Sequence, residues 1–422
     1  MTQELKIEQA LFGYRQGHHL LSSSVELVPQ VRQFLANVTD LSGEENAAGF
    51  ETGYTGLPVP ETNYYALFRT WLAPEMPRPG CVWSHALLID FSVLARVPDL
   101  SATSELYVRP SKTIHLSDYE KTMVLRVDDT EKMGDAALLN RAPVVLSLLY
   151  GSPQSGIVVL DDQSLPWESV VLGVWSQQWP SLRKRFSFST CSLGDRRLGG
   201  VWFDLQIAPR STERLWHRSG MPTAILEFPP VDQGTSVWVE IATSDLRRAD
   251  DRSLRKFLFS YGADIDSPRQ VFARLVECFS QLSQDDEQSV VRSLASIATV
   301  FPGPLDAVQL KQDRLTTLIS RADTAEVNSL WTAASFLLGL QGGAAYSRVP
   351  FSFGPYIGRL WRDKRAELIA LLGKLDEGER STDFLRALAR EIEPGDIPLI
   401  WREQPNAVSR LGNLCTSVSV RV

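Results

Sequence analysis

The spacing of apolar residues changes period along this chain, and that change limits the possible folds more than any single motif does. Up to about residue 230, short apolar or aromatic runs alternate in the two-residue manner of strands and are interleaved with stretches of helical spacing. Residues 7–14, 52–57, 63–72, 156–160, 185–190 and 200–209 read as strands, and CVWSHALLIDF at 81–91 reads as a buried strand followed by a short helix at 92–96. Residues 25–41, 134–150 and 165–178 read as helices, with Val31, Phe34, Leu35 and Val38 on one face of the first. From Ser267 onward one amphipathic helix follows another. Ser267-Pro268-Arg269-Gln270 supplies an N-cap, a proline at N1 and a glutamine at N3. Further helices are expected at 287–300, 307–320, 325–340, 363–375 and 382–391, punctuated by Pro and Gly breaks. The expected architecture is therefore α+β, a mixed-sheet N-terminal half (residues 1–230) followed by an all-α helical C-terminal domain (residues 231–422).

At 422 residues the chain is too long for one ordinary core, and 44% hydrophobic with 22% charged residues is globular usage that excludes general disorder. A net charge of -7 argues against a nucleic-acid coat or a binder of anionic membranes, since phosphate recognition needs a basic surface. Eleven tryptophans suit core packing for most of them and partner contacts for a few. The N-terminus lacks the basic and apolar regions of a secretory signal, and no apolar run is long enough to span a bilayer. The four cysteines, Cys81, Cys191, Cys278 and Cys415, form no CxxC pair, which disfavours a disulfide framework or a zinc site. A cytoplasmic location without membrane contact follows as the expectation.

The residues that could carry chemistry are few. His18 and His19 follow the first strand, and His85 lies within the apolar run at 81–91. Cys191 follows the strand at 185–190 and becomes a nucleophile only where a cation or histidine lowers its pKa. One reading gathers His18, His85 and Cys191 around a catalytic cleft; the other makes the histidines hydrogen-bonded structural groups and the cysteine an inert core residue. No histidine spacing suits a metal, and no phosphate-binding glycine loop is present, so neither a metal nor a cofactor is expected. Arg183, Arg185, Arg196 and Arg197 flank the strand at 185–190. They frame either an anion-binding rim, with nucleic acid as one occupant, or a solvated basic edge.

Three motifs occur in order: LFGYRQGHHLLSSS at 11–24, VWSHALLID at 82–90, and RFSFSTCSLGDRR at 185–197 with WFDLQIAP at 202–209. Together they resemble the N-terminal region of bacterial GTPase-associated proteins, chains encoded beside GTPases in conflict or antiphage systems. The resemblance covers about the first half of the chain and rests on Gly13, Tyr14, Gly17, His18, Trp83, His85, Phe188 and Asp204. It implies a non-enzymatic adaptor or sensor whose partners are a GTPase or other NTPase and an effector. Within that reading Tyr14, Gly17 and Trp83 are binding residues, alongside the arginines.

Overall fold

The computed structural model describes residues 3–40, 48–111, 115–127, 136–151, 156–194, 197–198, 201–218, 223–230, 236–247, 253–262, 265, 269, 271–282, 286–303, 305–339, 349, 351–375, 378–406, 408 and 411. They fall into two compact units, Met1–Ala263 with Ser267–Glu277, and Asp264–Asp266 with Cys278–Val422.

The first unit is built on a 10-stranded mixed sheet. Its antiparallel part contains β1 (Gln3–Tyr14), β2 (His18–Ser23), β3 (Thr52–Pro58), β4 (Tyr64–Leu72) and β5 (Val82–Asp90), in the order β3-β4-β5-β1-β2. A sixth strand, β6 (Met123–Val127), pairs with the first half of β1. Alternation sorts the side chains. Ala10, Phe12, Ala66, Phe68, Ala86 and Leu88 form one face and pack on Val31 and Leu35 of α1 (Pro29–Thr39). Leu11 and Trp83 point to the other face with Trp71 and Tyr119. Strand β5 is buried in all but its last residue, covered on both sides as its largely apolar run requires, and α2 (Phe91–Leu94) follows it directly.

The rest of the sheet is parallel. After α3 (Ala136–Gly151) come β7 (Gly156–Asp161), α4 (Pro166–Gln177), α5 (Pro180–Arg185) and β8 (Phe188–Ser189). A small ribbon of β9 (Arg197–Leu198) and β10 (Val201–Trp202) then leads to β11 (Leu205–Pro209), α6 (Glu213–Arg218) and β12 (Thr223–Glu227). The order is β12-β7-β11-β8, every neighbour parallel, and β8 then pairs antiparallel with β3. All residues of β7 and β11 are buried, the signature of strands covered by crossover helices. One expectation changes here. Residues 180–185 are a helix, since Pro180 sits at its start and Trp179 precedes it in extended conformation, so only Phe188–Ser189 is strand. The strands at 188 and 205, whose pairing the sequence leaves open, are parallel neighbours.

Three helices beyond residue 230 belong wholly or partly to this unit: α7 (Val237–Arg247), α8 (Ser253–Gly262) and the first part of α9 (Val271–Leu282). The division therefore falls within α9 rather than near residue 230. Packing explains it. Phe272 of α9 stacks on Tyr150 at 3.9 Å and lies 6.3 Å from Trp179, and Gly262 of α8 leaves just enough room for the Trp179 ring. Of the N-cap signal at 267–270, only Arg269 lies among the described residues; its guanidinium donates to Asp204 at 2.7 Å.

The second unit is helical, with α10 (Glu287–Val300), α11 (Val308–Ile319), α12 (Val327–Leu337), α13 (Gly354–Asp363), α14 (Arg365–Leu372), α15 (Glu379–Ala389) and α16 (Ile397–Glu403). Leu294, Leu315, Phe336, Leu368, Phe384 and Leu388 centre its core. The helix expected at 363–375 is α14, and α13, which was not expected, precedes it, the two meeting at Lys364 in a non-helical conformation. Replacing Trp179 with Ala would empty the site between Gly262 and Phe272, and should destabilise the first unit by about 3–5 kcal/mol. Chemical denaturation followed by tryptophan fluorescence measures that loss.

Candidate functional site

The β1–β2 hairpin end gathers most of the motif residues. The turn needs unusual backbone at Gln16 (φ 60) and Gly17 (φ 132), and the Arg15 N–H donates to the Gly17 carbonyl at 2.8 Å. Only glycine adopts the second of these angles without strain. Gly13 has a different reason: a Cβ there would lie 2.4 Å from the Trp83 ring. The indole therefore lies directly on the β1 backbone. Its Nε1–H donates to Glu75 Oε1 at 2.9 Å, and Arg109 donates to both Glu75 oxygens at 2.9 Å. Burial would raise the Glu75 pKa, but hydrogen bonds from its own backbone, Trp83 and Arg109 hold it below the ordinary value.

Beside this turn is a pocket of about 160 Å³ lined by Tyr14, Gly17, His18, Asp40, Arg78, Pro79, Cys81 and Val82. Water occupies about 30 Å³ per molecule in the liquid, so the pocket holds roughly five. His18 Nε2 lies 2.8 Å from Thr39 Oγ1, and that hydroxyl donates to the Leu35 carbonyl at 2.9 Å. The threonine proton is thus engaged, which makes Nε2–H the donor and leaves Nδ1 as an acceptor in the neutral ring. Burial lowers the His18 pKa, with His19 adding to the effect and Asp40 opposing it. The Tyr14 hydroxyl and the Arg78 guanidinium have no partner among the described residues. The pocket therefore offers a cation, a hydroxyl and an imidazole acceptor within one small space, bordered by Asp40. That set suits recognition of a polar side chain better than bond-breaking.

His18, His85 and Cys191 do not share a cleft. His18 lies on the α1 side of the sheet, against Phe12 and Thr39. His85 is two strands away on the opposite face, fully buried between the rings of Tyr107 and Tyr119. Its Nδ1 accepts from Val108 N–H at 3.3 Å and its Nε2 meets Gln9 Oε1 at 2.9 Å. The Gln9 amide in turn donates to the Asp118 and Lys121 carbonyls. Burial pushes the His85 pKa down to about 4. This is a closed structural network with no proton to exchange near neutrality. Cys191 lies beyond the end of β8 with its Cβ against Gly53, and its thiol donates to the Phe50 carbonyl. Strands β3 and β4 separate it from His85.

The arginines divide similarly. Arg183 is 3% exposed and donates to the carbonyls of Leu94, Val97 and Ser176, tying α5 to α2 and α4. It is a buried clamp, and it cannot form part of an anion-binding rim because its guanidinium is enclosed and two of its nitrogens are taken up by backbone carbonyls. Arg185 is exposed at the end of α5. Arg197 opens β9, and Arg196 lies outside the described residues. Phe188 is core, packed on Trp175 and Phe186. Asp204 accepts from Ser187 and Arg269, linking the two strands of its motif.

One buried pair was not anticipated. Arg69 of β4 meets Glu168 of α4 at 3.2 Å and spreads over the Tyr54 ring at 5.1 Å. Burial pushes Glu168 up to about 7 against the pull of Arg69. Only the sheet pairing brings these residues together across 99 positions, so no local pattern marks them. Among the described residues there is no group of three or more His, Cys, Asp or Glu placed to hold a metal, and no helix is long and apolar enough to cross a membrane.

These two buried groups oppose each other in acid. His85 takes up its proton at about 4 when folded and near 6.5 when unfolded, so its contribution is complete above 6.5 and is lost as pH falls towards 4, by up to about 3 kcal/mol. Glu168 titrates at about 7 when folded against 4.5 unfolded, and lowers stability as pH rises between those values. Denaturation midpoints from pH 4 to 7.5 should therefore fall less steeply in acid for His85→Gln, and more steeply for Glu168→Gln, than for the parent.

No curated protein and no solved structure matches this chain. Residues 6–107, which include the hairpin end, the Gly13–Trp83 contact and every lining residue of the pocket, match the family model described as GTPase-associated protein 1, N-terminal domain type 1.

Proposed function

We propose that this chain is a non-enzymatic component that associates with a GTPase through its N-terminal unit. Within that role it acts as an adaptor or sensor, coupling the GTPase to an effector in a bacterial antiphage system. The match over residues 6–107 carries the reading. The site geometry supports it: the matched segment builds a small polar pocket with unengaged Tyr14 and Arg78, while its histidines are tied into structural hydrogen bonds. An enzyme built on His18, His85 and Cys191 has no shared cleft to work in. Burial of Arg183 also weakens the case for a nucleic-acid groove along 183–197.

The contact surface under this reading is the hairpin end and the 73–81 loop, where Tyr14, Arg78 and Pro79 meet an acidic or hydrogen-bonding side chain of the partner. Expression of the tagged chain within its native gene neighbourhood, followed by pull-down, should recover a stoichiometric GTPase. Arg78→Ala and Tyr14→Phe should each lower recovery several-fold without moving the denaturation midpoint, since neither side chain has a partner within the described residues. Recovery of no nucleotide-binding protein, or unchanged recovery by both variants, would count against the surface.

A further inference from the structure

A second groove lies in the same unit, remote in sequence from the hairpin pocket. It has a volume of about 310 Å³ and is lined by Leu139 and Pro143 of α3 and by Glu240, Thr243, Ser244 and Arg247 of α7. The four α7 residues recur at helical spacing and so form one stripe, about 10 Å long from Glu240 to Arg247. None of the four side chains has a partner among the described residues. Thr243 is the buried member of the stripe. It is only 7% exposed, borders the groove, and its hydroxyl is unpaired. A helical threonine usually satisfies itself on the carbonyl four residues back, and this one does not.

The opposite wall adds a polar group of its own. Pro143 lies inside α3 and has no N–H, so the Leu139 carbonyl loses its helical donor on the face that borders the groove. A helix interrupted in this way costs stability unless something else satisfies the freed carbonyl. Glycine 151 at the end of α3 lies beside Trp238 at the start of α7, so the two helices run antiparallel. Leu139 therefore lies towards the Arg247 end of the stripe, and Glu240 towards the other.

We infer that this groove binds a free basic amino acid, lysine or arginine. Its α-carboxylate meets Arg247, its α-ammonium is held by the Leu139 carbonyl and the Ser244 hydroxyl, its methylenes lie along Pro143, and its side-chain cation reaches Glu240. The two charges of such a ligand stand at opposite ends of an aliphatic stem, as do the two charges of the stripe. The bound molecule would supply the donor that Pro143 withholds. Binding would bridge α3 and α7, giving the first unit a means to register amino-acid supply.

Isothermal titration of the full chain with L-lysine and L-arginine at low salt tests this. Saturable one-to-one binding is expected. Norleucine, which lacks the cation, and cadaverine, which lacks the carboxylate, should bind at least about tenfold more weakly. Glu240→Gln and Arg247→Gln should each weaken lysine binding by about the same factor. Pro143→Ala returns an N–H to Leu139, so it should raise the denaturation midpoint and weaken lysine binding together, which no misfolding artefact would do. Absence of saturable heat into the millimolar range would overturn the inference. So would unchanged affinity in both charge variants, or Nα-acetyl-lysine binding as tightly as lysine, which would point to a chain terminus instead. None of these readouts depends on a GTPase, so failure here leaves the partner reading untouched.

Discussion

A strand of two residues holds the first unit together. Phe188 and Ser189 pair antiparallel with Thr55 and Gly56 on one side and parallel with Leu205 and Gln206 on the other. Without that seam the antiparallel and parallel parts of the sheet would be separate layers with exposed edges. Two residues of ladder are too few by themselves, and side chains reinforce them. The Thr190 hydroxyl accepts from Tyr54 N–H at 2.8 Å, Tyr65 donates to the Phe186 carbonyl at 2.8 Å, and Thr55 and Ser189 hydroxyls meet at 3.2 Å. Gly56 lies under both Phe188 and the Tyr65 hydroxyl, where any Cβ would collide. The RFSFST motif is therefore first a joint. Its alternating phenylalanines face the α4 aromatic layer, and its hydroxyl residues stitch β3.

That joint also shows where sequence reading stops. The buried strands were legible because Val82–Asp90 and Gly156–Asp161 are predominantly apolar on both faces, a pattern that suits a sheet covered on both sides. Five helices of the second unit were legible from their apolar stripes, whereas α13 and α16 were not expected. What was not legible was partnership. RKRFSFST alternates as a strand would, yet Pro180 starts a helix that absorbs Arg183, Lys184 and Arg185 before the chain extends. Arg183 consequently left the basic cluster: a side chain on the inner face of a short helix is buried whatever its charge, and three backbone carbonyls lie within its reach. Similarly, α7 to α9 look like the rest of the helical half, and only Phe272 stacking on Tyr150 assigns part of α9 to the sheet unit.

The candidate site was half visible for the same reason. GYRQGH announces a turn with a histidine at its exit, and turn chemistry is local, so Gly17 and His18 fall where the motif puts them. Arg78 and Asp40 come from other segments, and nothing near the motif points to them. The histidines also separate by a rule that sequence does state. Strand residues alternate faces, and a β-sheet is opaque to chemistry across it. Once His18 faces α1 and His85 faces Tyr107 and Tyr119, no loop movement can bring both to one substrate.

The distribution of satisfied and unsatisfied polar groups then separates scaffold from surface. His85, Gln9, Arg183 and Asp204 each complete several hydrogen bonds inside the unit, which fixes their rotamers and removes them from chemistry. Tyr14 and Arg78 at the hairpin end, and the Glu240–Arg247 stripe of α7, complete none among the described residues. Exposed polar groups lose little by this, because water serves them. A hydroxyl as buried as that of Thr243 does not have that excuse. Both kinds of unengaged group belong to the unit that carries the matched segment, and a sheet this heavily cross-tied holds them in fixed positions for whatever binds there.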